Sequence, residues 1–345
     1  MRSGCRRCRL VALLLVVWLM GLTGSLAVGA QEEVNVYSYR NPQLLEPLFA
    51  AFTEQSGIKI NSVFISKGML ERLQSEAENS PADLIFTADI GRLTDMKAAG
   101  LTQSVDSEAI SNNIPAQFRD PQGHWFGLTS RARIIVAAKD RVPFGAVTRY
   151  EDLADPKWRG AICTRSGKHP YMTALIASMI AHQGHEESRK WLMGLKRNLA
   201  RKPQGNDRAQ VKAISQGECD IAIINHYYMA LMLSDPEQLA WANSVNVIFP
   251  NQSDRGAHMN VSGMALTKHA PHRDAAVRLM AFLASDEGQK RYVDDNGEYP
   301  VTPGIPWNDL QRSWGPFKQD TISLTAVADQ RAAAIRLADE VRYDH

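Results

Sequence analysis

The chain has 345 residues with a formal charge of +2, 44% hydrophobic and 22% charged, the balance of an ordinary globular protein. Its first 30 residues hold four arginines and no acid, so without them Lys plus Arg falls from 39 to 35 against 37 Asp plus Glu, a net charge near −2. This excludes the basic footprint of a general nucleic-acid binder, and no later run of about 18 apolar residues reads as a membrane span.

In chain order, the basic start Met1–Arg9, the apolar run from Leu10 to about Leu22 and the small residues before Ala30 predict a secretory signal cleaved after Ala30. No cysteine follows that site, which predicts a protein free in a periplasm rather than lipid-anchored. Cys5 and Cys8 leave with the signal. Cys163 and Cys219 remain, and an oxidising compartment favours one disulfide between them over two buried thiols.

Val34–Tyr39 alternates as a strand, Leu44–Gln55 carries apolar residues at helical spacing and Gly57 stops it. Strand Ile58–Ile65, helix Lys67–Glu78, strand Ala82–Phe86 and helix Gly91–Ala99 continue a strand–helix alternation that predicts an α/β fold with a mostly parallel sheet. Phe126–Lys139 is long and extended enough to carry the chain between domains. Beyond it come strand Ala161–Thr164, helix Tyr171–His182, strand Asp220–Ile224 and strand Val245–Pro250. Gly263–Leu266 reads as a second crossing, helices follow over 272–284 and 286–294, and the tail from Ser323 to Tyr343 is helical. Two crossings predict a two-lobed α/β protein: an N-terminal lobe of 31–130 plus 255–305 and a C-terminal lobe of 131–254 plus 306–345. A ligand would sit in the cleft beyond the strand ends, as in hinge-closing binding proteins.

The strongest local feature is Ile223-Ile224-Asn225-His226-Tyr227-Tyr228, where a buried strand emerges into two tyrosines. At a strand-to-helix turn both phenols can converge on one point. Tyr171 holds an equivalent place after Ala161–Thr164 and the loop Arg165-Ser166-Gly167-Lys168-His169-Pro170. Phenols titrate near ~10, but a highly charged cation displaces their protons. Three phenolates would neutralise a hard trivalent cation such as Fe³⁺. The bland alternative is an aromatic pair packed at a helix start.

Val36-Tyr37-Ser38-Tyr39-Arg40, Ser80-Pro81-Ala82-Asp83, Arg131-Ala132-Arg133, the run Cys163–Tyr171 and Asn225-His226-Tyr227-Tyr228, taken in this order, resemble the periplasmic ferric-ion-binding proteins of ABC iron transporters. These have the transferrin-like, type II periplasmic binding-protein fold. The resemblance implies that Tyr171, Tyr227 and Tyr228 ligate Fe³⁺. It implies as partners an inner-membrane permease and its ATPase, and a protein that acts as a monomer and not as an enzyme. Many relatives place His or Tyr after the Ser-x-Arg turn, where this chain has Asn41-Pro42. The first lobe would then offer Tyr39 or no ligand, with carbonate or water completing the coordination. Arg40 and Arg131 are candidates to hold a carbonate, since guanidinium binds planar oxyanions bidentately, with Asn41 beside them. Each arginine could equally be a salt-bridging residue.

His169, His226 and His258 lack the spacing of a zinc or copper site and read as surface or supporting residues. Gly160–Lys168 has the wrong gap for a phosphate loop, no nucleophile elbow occurs, and Asp83 reads as a turn anchor. A rival on the same fold is a small organic cation, of polyamine or thiamine type, stacked on Trp125, Tyr227 and Tyr228.

Overall fold

The computed structural model describes residues 31–345, so the expected signal segment lies outside the described residues. Strand β1 (Glu33–Ser38) buries Val34 and Val36 and pairs in parallel with β2 (Lys59–Phe64) and β3 (Leu84–Thr87). Between β1 and β2 the helix Glu46–Ser56 packs Leu48, Phe49 and Phe52 inward and ends at Gly57, whose φ of 73° makes the left-handed C-cap. The remaining strands are β4 (Phe126–Ala138), β5 (Ile162–Cys163), β6 (Ile221–Asn225), β7 (Val245–Ile248), β8 (Met259–Leu266) and β9 (Tyr299–Pro300). Their order is β2-β1-β3-β8-β4-β6-β5, with β7 and β9 also on β4.

The sheet is not mostly parallel. β3 with β8, and β4 with β6, β7, β8 and β9, are antiparallel pairs; only β1 with β2, β1 with β3, and β5 with β6 are parallel. The reason lies in the connectors. A helical crossover returns the chain in the same direction, whereas β4 and β8 run past one another in opposite senses and align whatever pairs with them accordingly. β4 serves both halves: residues 126–132 pair with β8, and residues 133–137 pair with β6. Gly263 is required here, because a Cβ would stand 2.5 Å from the Phe126 carbonyl oxygen.

Apolar packing falls on either side of that crossing. Leu128 and Met264 join the core built on β1, β3 and the helices Glu46–Ser56 and Arg273–Ala284. Ala132 and Met259 join the core built on β5, β6 and the long helix Pro170–Arg197. That helix outruns the expected end at His182 and breaks at Gly184 (φ 81°). The polar run from His185 to Lys190 hid the second stretch, which buries Trp191, Leu192 and Leu195. Cys163 and Cys219 are disulfide-bonded with Cα atoms 6.0 Å apart, joining β5 to the segment before β6. The tail forms helices Leu324–Asp329 and Arg331–Glu340, and its last residues return to the β5 loop.

Candidate functional site

β6 ends at Asn225, His226 turns the chain, and the short helix Tyr227–Leu233 begins with the two tyrosines. His226 fixes this corner: its Nδ1 accepts from the Ala132 amide at 3.1 Å and its Nε2 lies 3.0 Å from the Gly297 carbonyl oxygen. It is buried, not a surface residue, and stacks on Tyr299 with ring centroids 4.3 Å apart. Burial lowers its pKa to about 3. Tyr171 stands in the first turn of Pro170–Arg197, where the His169 N-cap accepts the Tyr171 amide at 3.3 Å. Burial, followed by the Arg165 charge, lowers the pKa of His169 to about 3 as well. His258 is buried too, away from the tyrosines.

The two emergence points meet. Tyr171 Oη and Tyr227 Oη are 3.5 Å apart, and the Tyr227 and Tyr228 rings lie 4.2 Å apart, tilted by 31°. All three phenols line a cavity of about 470 Å³ together with Tyr39, Arg40, Asn41 and Arg131. Burial, reinforced by the neighbouring phenols, pushes the Tyr227 hydroxyl well above its ordinary value. Tyr228 is pushed up by burial and then by Tyr171 and Asp207.

Tyr39 lines the cavity, but its hydroxyl accepts the Met69 amide at 2.9 Å, and Arg92 lies over its ring at 3.9 Å. Asn41 is exposed and caps the turn that follows it, accepting from Gln43 N at 3.1 Å. Arg40 and Arg131 are both buried against Glu298. Arg40 Nη2 donates to both carboxylate oxygens at 3.0 Å, and Arg131 Nη1 lies 3.6 Å from Oε1. Arg131 Nη2 also donates to the Ala88 carbonyl at 2.5 Å. Buried Nε and Nη1 of Arg40 and Nε of Arg131 have no partner among the described residues. Burial pushes the Glu298 carboxyl up, but Arg40, Arg131 and the Thr129 hydroxyl outweigh it and hold it below its ordinary value.

Several residues that sequence reasoning missed frame this site. Asp207 is fully buried and accepts from Arg133 at 2.9 Å, from Arg165 at 3.2 Å and from the Asn225 amide at 2.9 Å. Arg133 and Arg165 lie over the Tyr171 ring at 5.7 and 5.3 Å, and Arg208 lies over Tyr228 at 5.9 Å. The β5 loop is clamped by the tail: Asp344 accepts from Ser166 Oγ at 2.6 Å and from the Gly167 amide at 2.8 Å. A Cβ at Gly167 would stand 2.8 Å from the Tyr343 ring. Arg165 was legible as part of the motif run. Glu298, Asp207 and Asp344 carried no local signal, because their partners are 258, 74 and 178 residues away.

The chemistry on offer is a set of convergent phenol oxygens ringed by Arg40, Arg131, Arg165 and Arg208, with Asp295 the sole carboxylate among the lining residues. Trp125 does not join them. It lines a separate cavity, so the three aromatics expected to sandwich an organic cation do not converge.

A family profile described as bacterial extracellular solute-binding protein matches residues 79–314. The chain belongs to the bacterial extracellular solute-binding proteins. This solute-binding protein is 43% identical to iron uptake protein A1 of Synechocystis sp. over 90% of its own length and 88% of the relative's. Its structure is similar to the apo ferric ion-binding protein A of Pasteurella haemolytica, with TM-score 0.88 and 47% identity, covering 92% of this chain and 99% of that one. A Trichodesmium protein solved with iron and citrate ligands aligns with TM-score 0.83 and 40% identity, over 90% and 99% of the two chains. The two-lobed type II α/β architecture follows from these similarities, and the family is one of transport rather than catalysis.

Proposed function

We propose that this solute-binding protein takes up ferric iron through Tyr171, Tyr227 and Tyr228 and delivers it, from the periplasm, to the permease and ATPase of an ABC importer. The observation that carries the reading is the convergence of the three phenols, two of them 3.5 Å apart, in a cavity between segments of both packed cores. Its relatives include an iron uptake protein and ferric-ion-binding proteins. Among the described residues no group of three His, Cys, Asp or Glu is disposed to hold a metal ion, which leaves hard phenolate oxygen as the available donor.

Fe³⁺ is the transported solute. The metal must displace phenol protons, which burial holds more firmly on Tyr227 and Tyr228, as strongly polarising cations do from bound water and thiols. The surrounding guanidiniums would repel a bare cation, so the site calls for an anion bound with the metal. Carbonate held where Arg40 and Arg131 line the cavity fits that need, as does a larger carboxylate reaching Arg165 and Arg208. The Trichodesmium relative holds iron with citrate. The same guanidinium lining disfavours the organic-cation alternative. Tyr39 accepts the Met69 amide and Asn41 accepts from Gln43 N, so each already has a structural partner in the first lobe.

The lobes, 31–130 plus 255–305 and 131–254 plus 306–345, would close about β4 and β8 over the bound ion. Ferric binding by the monomeric protein under chelator competition tests the reading. Tyr171→Phe, Tyr227→Phe and Tyr228→Phe should each lower affinity at least tenfold, and three variants with wild-type affinity would overturn it.

A further inference from the structure

One buried carboxylate joins the two turns that carry the phenols. Asn206 caps the helix Asp207–Ser215, accepting the Ala209 amide at 3.0 Å, and the Gln210 side chain donates back to the Gln204 and Asn206 carbonyls at 2.6 and 3.0 Å. This braced start holds Asp207, fully buried, against three other elements. Its Oδ2 takes two donors: Arg133 Nη1 from β4 at 2.9 Å, and at 2.9 Å the backbone amide of Asn225, which ends β6 just before His226 and the tyrosine pair. Its Oδ1 takes Arg165 Nη1 at 3.2 Å, from the loop that runs from β5 to Tyr171. The same two guanidiniums lie over the Tyr171 ring, at 5.7 and 5.3 Å. Arg133 is fully buried and Arg165 nearly so, so without the carboxylate their charges would be left without this partner, at a cost only a built-in anion avoids. A binding constellation needs such support to hold its donors in register.

We infer that Asp207 is a positioning residue for the tyrosine cavity: it ties the Arg165 loop, and with it the wall behind Tyr171, to the end of β6 that leads into Tyr227 and Tyr228. Its effect on iron rests on the ferric reading given above; its effect on the loop does not.

Asp207→Asn separates the two arms. The amide keeps one acceptor oxygen, which belongs where Oδ2 met two donors, and turns an NH₂ group toward Arg165, a donor facing a donor. The Arg165 loop should loosen while the Asn225 contact survives. Hydrogen exchange by mass spectrometry on the metal-free mature protein reads this: residues 165–171 should exchange at least tenfold faster than in wild type, with residues 239–243 unchanged. In a chelator competition, ferric affinity should fall at least tenfold. Tyr171→Phe should then cost at least about threefold less in the Asp207→Asn background than in wild type, whereas Tyr228→Phe should cost the same in both. A general loss of stability does not confine non-additivity to one tyrosine. If circular dichroism shows that Asp207→Asn does not fold, Arg165→Gln, which removes only the loop arm, takes its place with the same expectations. Unchanged exchange over 165–171, additive losses with Tyr171→Phe, or equal non-additivity with Tyr228→Phe would overturn the inference. Wild-type protein that binds no ferric ion would overturn the ferric reading instead, and the exchange result would still decide the role of Asp207.

Discussion

Replacing Glu298 by Gln keeps the shape of the side chain and removes the charge that two buried arginines share. Arg40 is 3.0 Å from the carboxylate and Arg131 3.6 Å, and the three side chains are at most 2% exposed. At an effective dielectric near 20 each attraction is about 5 kcal/mol before desolvation is counted. The amide retains part of the hydrogen bonding, so the net loss should fall near the ~3–5 kcal/mol typical of a broken buried pair. Urea unfolding of the metal-free protein followed by circular dichroism reads it. Because the folded carboxyl is held below its ordinary value of 4.5, its contribution is complete above that pH and is lost as pH falls through the folded value. The gap between wild type and Glu298→Gln should therefore be widest near neutrality and narrow below about pH 4.5. The variant should also bind carbonate more tightly in the presence of iron, since Arg40 and Arg131 lose their internal counter-ion. A difference under about 1 kcal/mol at pH 7, or one independent of pH, would refute the reasoning.

Tyr228→Phe should lower ferric affinity by orders of magnitude in a chelator competition while leaving the metal-free melting curve nearly unchanged. Metal-free stability should fall below about pH 6.5, because His169, His226 and His258 hold pKa values of about 3, 3 and 4 when folded and take up protons on unfolding. The slope should be up to about 1.4 kcal/mol per pH unit for each, and a flat urea midpoint between pH 6.5 and 4 would contradict it. Cys163→Ser with Cys219→Ser opens a 56-residue loop and should cost about 4 kcal/mol by the chain-entropy relation, read by urea unfolding with and without reductant. Asp344→Ala removes the clamp on Ser166 and Gly167 and should weaken iron binding through Tyr171, with little change in global stability; unchanged affinity would show that the tail does not position that loop.

The parts of this protein that could be read from the chain are those whose signals are local. The Val34–Tyr39 alternation, the Leu48, Phe49 and Phe52 stripe and the strand-to-helix turns at Tyr171 and Tyr227 depend on near neighbours, and the observed elements follow them. Strand direction did not follow, because the antiparallel pairing of β4 with β8 joins residues more than 120 positions apart in sequence. The tyrosine cluster was legible because each phenol sits at the start of a helix that follows a buried strand. Its electrostatic frame was not. Nothing near Glu298 in sequence announces two arginines from other elements, and nothing in the run to Trp125 separates it from the tyrosines. Burial of His226 and His258 was likewise invisible, since it depends on Tyr299, Trp314 and the crossing strands.

The central claim is that three phenolates hold ferric iron, and visible absorption of the purified mature protein tests it most directly. Titrated with ferric ion under chelator control in bicarbonate buffer, the protein should develop a tyrosinate-to-iron charge-transfer band that saturates at one equivalent and is lost in Tyr227→Phe. Saturating iron with no such band, or a band unchanged in that variant, would contradict the account.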